Sequence, residues 1–339
     1  MTERRLLIQQ LISAVGDYKS GKISPFDEAH VNKWLNQFPT ESQMQILSEL
    51  YYVLSRTYLK KTDISNFFKD AIITPNLLSG IFSNTSLLNI QGGGNSQKDC
   101  IDMFNDELYA VTQNKAGVNI CDAEHHLYLD DVIFSGQRMR TDITNWLVGP
   151  APQECRLYIV THTMHRLSLW YSESFIKKKI TESGKQISVK FIYRDLVEDR
   201  LYYTYSSDVL RPVTSDWNES IKKYINSLTK PPLYRQPGSI GDNAFFSSDN
   251  GRQLLENEFL AAGSYIREIC KYFSVNHRPL GYMKLESLGF GTMIVSYRNC
   301  PNNAPLALWA GDPWYPLFPR SNNTTSATRW NAQGRLDEA

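Results

Sequence analysis

The sequence predicts an α/β protein: a parallel-sheet core with a helical N-terminal region and a mixed C-terminal extension. Three observations carry this. Apolar runs at 87–90, 127–129, 156–160 and 187–193 alternate with segments of helical periodicity, which calls for parallel strands joined by crossover helices. Before them, residues 1–85 carry helical stripes only. After residue 200 the periodicity loosens into Pro-, Gly- and Ser-rich stretches.

In the N-terminal region Leu6, Leu7, Leu11 and Val15 fall on one helical face. Ser24-Pro25-Phe26-Asp27 reads as a helix start, with a capping serine, proline at the first helical position and an acid in the first turn. Thr40 with Gln43 resembles a capping box ahead of the stripe Met44, Leu47, Leu50, Tyr51, Leu54 and Tyr58. Asp63 caps a further helix carrying Phe67, Ile72 and Ile73, which stops near Pro75.

The core is expected over 86–200. The run 87–90 leads into Gln91-Gly92-Gly93-Gly94-Asn95-Ser96, and a helix follows with Ser96 as cap and Asp99 in its first turn. The strand 127–129 ends on Asp130-Asp131, the chain turns at 133–136, and a helix begins near Gln137 with Met139, Ile143, Trp146 and Leu147 on one face. A strand at 156–160, a helix at 163–182 and a strand at 187–193 complete the alternation. The extension, 201–320, holds helices at 219–228 and 254–273 around a loop at 230–251, then an aromatic, Pro-rich segment at 293–320. Residues 321–339 are expected to be a poorly ordered tail.

Lys+Arg is 36 against Asp+Glu 35, a formal net charge of +1 in 339 residues, so no overall basic field for nucleic acid exists and no direct nucleic-acid binding is expected. No apolar run reaches the roughly 18–20 residues of a membrane span, and the charged N-terminus leads into an amphipathic helix rather than a signal core. Cys100, Cys121, Cys155, Cys270 and Cys300 are scattered, without C-x-x-C spacing, which suits reduced thiols in the cytoplasm and argues against a zinc site. The expected setting is cytoplasmic, with no membrane partner.

The chemistry concentrates in "LDDVIFSG". A strand delivers Asp130 and Asp131 on opposite pleat faces. The turn and helix start that follow aim unpaired N–H groups and the positive end of a helix dipole at one spot, where a phosphate fits. Ser135 adds a hydroxyl there, and Gly136 allows close approach. The two carboxylates suit ribose 2′- and 3′-hydroxyls and can hold a magnesium ion directly or through water. Phosphate on one side and a sugar diol on the other describe a ribose 5-phosphate.

"YLDDVIFSGQRM" resembles the phosphoribosyl-pyrophosphate (PRPP) motif of type I phosphoribosyltransferases: hydrophobic strand, two acids, then a Ser/Thr-Gly phosphate loop. The resemblance covers roughly 86–195. It implies a phosphoribosyltransferase-like core, Mg2+ with PRPP or a nucleotide as ligand, and a phosphate loop of Phe134, Ser135, Gly136, Gln137 and Arg138. It also implies a pyrophosphate loop in "NIQGGGNSQKD", with Gly92, Gly93, Gly94, Asn95, Ser96 and Lys98. Asp130 and Asp131 then orient the ribose and hold the metal. Where the family has a second Gly-Thr or Gly-Ser, this chain has Gln137-Arg138, and Arg138 or Arg140 is the substitute phosphate charge. "NNAPLALWAGDPWYPLFPR" is similar to the endings of phosphoribosyltransferase-like proteins of bacterial anti-phage systems, retron-associated effectors among them. That similarity implies a defence effector acting on cellular nucleotides, with a protein or ribonucleoprotein partner.

His162 and His165 in "VTHTMH" follow a strand and can meet a leaving group or base at the sheet edge, although a loop histidine is more often merely solvated; His162 is taken as the catalytic candidate. His125 and His126 stand at the other end of their strand and read as structural. Trp309, Trp314, Tyr315 and Phe318 can stack a base, but their commoner use is a hydrophobic lid. An enzyme acting at the ribose anomeric carbon is the first functional reading. The alternatives are a catalytically inactive nucleotide-binding sensor, which Gln137-Arg138 favours, and an interaction module of a larger complex.

Overall fold

The computed structural model describes residues 2–23, 26–92, 96–270 and 272–320. The predicted start at Ser24-Pro25, the glycine-loop residues Gly93, Gly94 and Asn95, and the expected tail 321–339 lie outside the described residues. The first elements are α1 (Glu3–Val15), α2 (Glu28–Leu35), α3 (Gln43–Thr57) and the two-residue strand β1 (Tyr58–Leu59). Then come α4 (Lys61–Ile73), β2 (Thr85–Leu87), α5 (Ser96–Thr112) and β3 (Gly117–Val118). An alternating run follows: β4 (His125–Ile133), α6 (Gln137–Val148), β5 (Glu154–His165), α7 (Arg166–Ser183) and β6 (Gln186–Val197). The remainder holds α8 (Glu219–Asn226), α9 (Asp249–Ile269), β7 (His277–Arg278), β8 (Gly281–Tyr282), β9 (Val295–Ser296) and α10 (Leu306–Trp309).

Residues 61–197 form one compact unit, and the residues before and after them together form a second. The sequence reading put the divisions at 85/86 and 200/201, with residues 1–85 as one region and the core at 86–200, whereas the compact units divide at 60/61 and 197/198. The difference has a packing reason. α4 is amphipathic, and Phe67 and Phe68 pack on His162 and Phe104 of the sheet unit. β1 instead pairs with β9, which ties the first three helices to the C-terminal half.

The sheet unit is an α/β fold with a five-stranded sheet in the order β3-β2-β4-β5-β6. Every neighbouring pair is parallel. One face buries Tyr128, Leu157 and Ile159 against Ile143 and Trp146 of α6 and Ile176 of α7. β4 and β5 run longer than hydropathy suggests. Beyond the apolar run, Thr161 and Thr163 pair with Asp130 and Val132 on one side and with Tyr193 and Asp195 on the other. The backbone ladder carries the strand through side chains whose polarity reads as loop.

The second unit packs Trp34, Leu50, Phe259, Trp309 and Phe318 into one apolar core. The aromatic C-terminal segment is therefore core: Trp34 Nε1 donates to the Ala307 carbonyl at 2.8 Å, and His30 Nε2 lies 2.7 Å from the Leu317 carbonyl. Within the same unit the buried Glu256 carboxylate accepts from Arg252 Nε at 2.8 Å, Arg235 Nε at 3.0 Å and the Arg211 amide at 2.9 Å. Two buried guanidinium groups, of Arg235 and Arg252, thus meet one carboxylate, while Arg211 gives it only a backbone amide and donates its own guanidinium to the Leu210 and Phe290 carbonyls; an unpaired buried charge is costly. Helix starts depart from expectation in detail. Asp27 caps α2 by accepting from the His30 amide, α3 opens after Ser42 without a side-chain cap, and Asp63, expected as a cap, stands in the first turn of α4. Among the described residues no helix is long and apolar enough to cross a membrane.

Candidate functional site

The topology makes a switch point. β2 connects toward β3, whereas β4 connects toward β5 and β6, so the chain departs in opposite directions from the carboxyl ends of β2 and β4. Ligands of open parallel sheets bind at such a switch point. β2 stops opposite Leu127, while β4 continues to Ile133 paired, among the described residues, with β5. Asp130 and Asp131 lie on this one-sided stretch, inside the strand rather than at its tip as the sequence suggested.

Strand alternation separates the two acids. Asp130 shares the face of Tyr128, toward α6. Asp131 shares the face of Leu127 and Leu129 and comes level with His162, since Asp130 pairs with Thr161 and Val132 with Thr163. Each carboxylate is steadied by the following amide: the Asp131 N–H donates to Asp130 Oδ1 at 3.0 Å, and the Val132 N–H to Asp131 Oδ1 at 3.1 Å. Both are partly open to solvent.

The turn 134–136 follows. Gly136 has φ +66°, the left-handed region, and precedes the first residue of α6. The first intrahelical bond runs from the Arg140 N–H to the Gly136 carbonyl at 3.0 Å. The amides of Arg138 and Met139 stand before that bond and have no carbonyl of α6 to reach, the condition for anion binding. Ser135 is exposed at the turn, and its Oγ accepts from the Gln137 N–H at 3.5 Å. Phe134 packs its ring 5.2 Å from that of His165, so it wedges the turn onto β5.

The two arginines have different uses. Arg140 is buried and spends its guanidinium on the turn: Nη1 donates to the Ser135 carbonyl at 3.0 Å and to Ser172 Oγ at 2.8 Å. It holds the loop from behind, which corrects its expected role as a phosphate charge. Arg138 is exposed, and its positive charge acts on both Asp142 and Tyr128.

The glycine loop is built by two glutamines. Gln97 Oε1 accepts the Ile90 and Gln91 amides at 2.7 and 2.8 Å, and Gln91 Oε1 accepts Ser96 Oγ at 2.8 Å. Gly92 lies at its described end. Lys98 points along the surface of α5, paired with Asp102 at 2.7 Å.

Sequence reasoning missed Asp142. Its buried carboxylate accepts the Tyr128 hydroxyl at 3.0 Å and the Gly92 amide, linking α6, β4 and the glycine loop. Burial pushes its pKa up, and those two hydrogen bonds and Arg138 pull it back. Tyr128 is raised by burial, then by the charges of Asp130 and Asp142. The signal was present: Met139, Asp142, Ile143 and Trp146 share one helical face, and an acid on an apolar stripe needs a partner.

His162 is not at a strand end. It lies within β5, only 3 % exposed, with its ring 5.6 Å from Phe67 and Nδ1 3.7 Å from Asp195 Oδ2. Burial lowers its pKa against the opposing charges of Asp195, Asp63 and Asp131. His165 is fully buried, with Nδ1 3.3 Å from the Ile133 carbonyl, and fastens the end of β4. His125 and His126 begin β4 at the opposite edge and are buried.

Among the described residues no three His, Cys, Asp or Glu side chains gather as a metal cage. Two carboxylates on opposite faces of one strand offer hard oxygen donors but no closed shell. Such a donor set fits a magnesium ion that retains water and ligand phosphate oxygens, and does not fit a dedicated all-protein site.

None of the curated proteins matches the chain. The PRTase-CE family model matches residues 31–320, well over half of the chain, and with the α/β sheet described above this shows that the chain belongs to the phosphoribosyltransferase-like PRTase-CE family.

Proposed function

We propose that the chain binds a ribose 5-phosphate ligand bearing a diphosphate, PRPP or a nucleotide, at the switch point beside β4 and acts at its anomeric carbon. The observation that carries this reading is the one-sided stretch of β4 that presents Asp130 and Asp131 and passes through Gly136 into α6. The 5-phosphate takes the amides of Arg138 and Met139 and the Ser135 hydroxyl. The ribose diol takes the carboxylates of Asp130 and Asp131. The diphosphate lies toward the glycine loop, of which Gly92 and Ser96 are described, and Arg138 adds positive charge.

Asp130 and Asp131 would be the residues to hold a magnesium ion, which when bound would supply positive charge to the departing group. The chain's own contribution is positional. It fixes both ends of the sugar and aims amides at the charge that develops as the anomeric bond lengthens toward an oxocarbenium ion. His162 is too buried to touch the ligand from its place under Phe67, so its role in this reading is to steady Asp131.

The similarity of the 302–320 segment to anti-phage effectors supports a role in bacterial defence, with cellular nucleotides as targets. A second reading, binding without turnover, is favoured by Gln137 and Arg138 at the helix start and by the burial of His162. Labelled PRPP or nucleotide incubated with the protein and magnesium separates the two, since a sensor binds tightly and cleaves nothing. In cells, expression is expected to deplete a nucleotide pool or slow growth, and the Asp130→Asn, Asp131→Asn double variant to abolish the effect. A stably folded double variant with full effect would refute the enzymatic reading.

A further inference from the structure

A cavity of about 500 Å³ opens within the second unit, among residues that the ribosyl site does not use. Four of its lining residues are aromatic: Phe38 after α2, Trp217 before α8, Tyr265 on α9, and Trp314. Three of these rings have further contacts, and Tyr265 is exposed. Trp314 donates its Nε1 to the Ala307 carbonyl at 3.0 Å, so its polar edge is already used. Phe38 meets Trp314 edge to face, with centroids 5.6 Å apart. Trp217 is stacked on Tyr234, with an interplanar angle of 28°. Aromatic rings already held by neighbours lose little further freedom when a ligand packs against them.

The charge of the lining has one sign. Asp216 and Glu258 are its charged residues, and no Lys, Arg or His lines it among the described residues. Lys222 lies 3.6 Å from Asp216 and offsets that charge in part. Glu258 is half-buried, accepts a hydrogen bond from Ser42, and has its pKa raised by burial and then by Glu41. A carboxylate that is costly to ionise gains most from a cation placed beside it. Aromatic faces carry negative quadrupoles and attract the same kind of ligand. The volume is that of a small-molecule site.

We propose that this cavity binds a small free organic cation, an alkylammonium or alkylguanidinium, with its head between the aromatic rings and Glu258 as counter-ion. Two neighbouring carboxylates disfavour a phosphate or a carboxylate ligand. An uncharged apolar ligand leaves Glu258 without a partner charge.

Butylguanidinium and its uncharged isostere butylurea test the assignment on the full chain. Titration is followed by tryptophan fluorescence and calorimetry. Butylguanidinium should bind saturably, and butylurea roughly tenfold more weakly or not at all. Glu258→Gln keeps the size and the Ser42 contact, and should bring butylguanidinium down to the level of butylurea. Trp217→Leu should weaken it without that loss of discrimination. No saturable binding of butylguanidinium, equal binding of the two probes, or unchanged affinity in a folded Glu258→Gln variant would each overturn the proposal. The comparison of the two probes on the unaltered chain does not depend on any variant folding.

Discussion

At Gly136 two independent constraints meet at one residue. Its φ of +66° disfavours any side chain, and a Cβ there would overlap Ser168 Oγ and approach Arg140 Nη1 at 2.8 Å and Ser172 Oγ at 2.9 Å. The first constraint alone costs about 1–2 kcal/mol. The second displaces the guanidinium that holds the Ser135 carbonyl. Gly136→Ala is therefore expected to lose about 3 kcal/mol or more, read as a lower urea midpoint, together with ribosyl-phosphate binding. Gly92→Ala is the control at the other loop: a Cβ there meets nothing within 4 Å among the described residues, so stability should change by less than about 1 kcal/mol. Equal stability of the two variants would show that the close packing behind the turn is not what fixes it.

At the scale of elements, α6 does more than offer its N-terminus. Through Asp142 it fastens Tyr128 of β4 and Gly92 of the glycine loop, so one carboxylate sets the spacing of the two loops that flank the switch point. Asp142→Ala should strand the buried Tyr128 hydroxyl, costing about 1–3 kcal/mol. It should also raise amide exchange at residues 90–92 while β5 and β6 stay protected. Asp142→Asn, which keeps an acceptor, should recover most of the stability; a pattern with no change at 90–92 would remove Asp142 from any role in the loop. The elements were unevenly legible in the sequence. Helix α6 was readable because Ser135-Gly136 marks its start and its apolar residues repeat every three or four positions. The alternation of strands and helices was readable for the same kind of reason. β4 and β5 were cut short because Asp130, Asp131, Thr161, His162 and Thr163 look like loop to a hydropathy reading. Their neighbours across the sheet carry them, and those neighbours are distant in sequence. Asp142 was hidden because its partners lie 14 residues away on β4 and in a loop before α5.

Over the whole molecule, burial acts on the histidines in one direction. Of six, His30, His125, His126, His162 and His277 all have pKa values below the ordinary 6.5, with burial the first cause in each. The unfolded chain takes up these protons as pH falls through 6.5, and the folded chain does so only lower down. In that window the unfolded state holds more protons, so stability rises with pH. This contribution is complete above the unfolded value and is lost as pH falls toward the folded values. Asp142, Asp208 and Glu258 are raised by burial and pull the other way, because their protons favour the folded state. The histidines are separable from them by substitution. Three of the five lie in the sheet unit and two in the other, so both units should weaken in mild acid. Urea midpoints measured from about pH 7.5 to about pH 5.5 should fall with decreasing pH, and His162→Gln should remove up to about one proton from the uptake on unfolding. An uptake unchanged in His162→Gln would mean that this ring titrates in the folded protein as it does in water, which its place beneath Phe67 forbids.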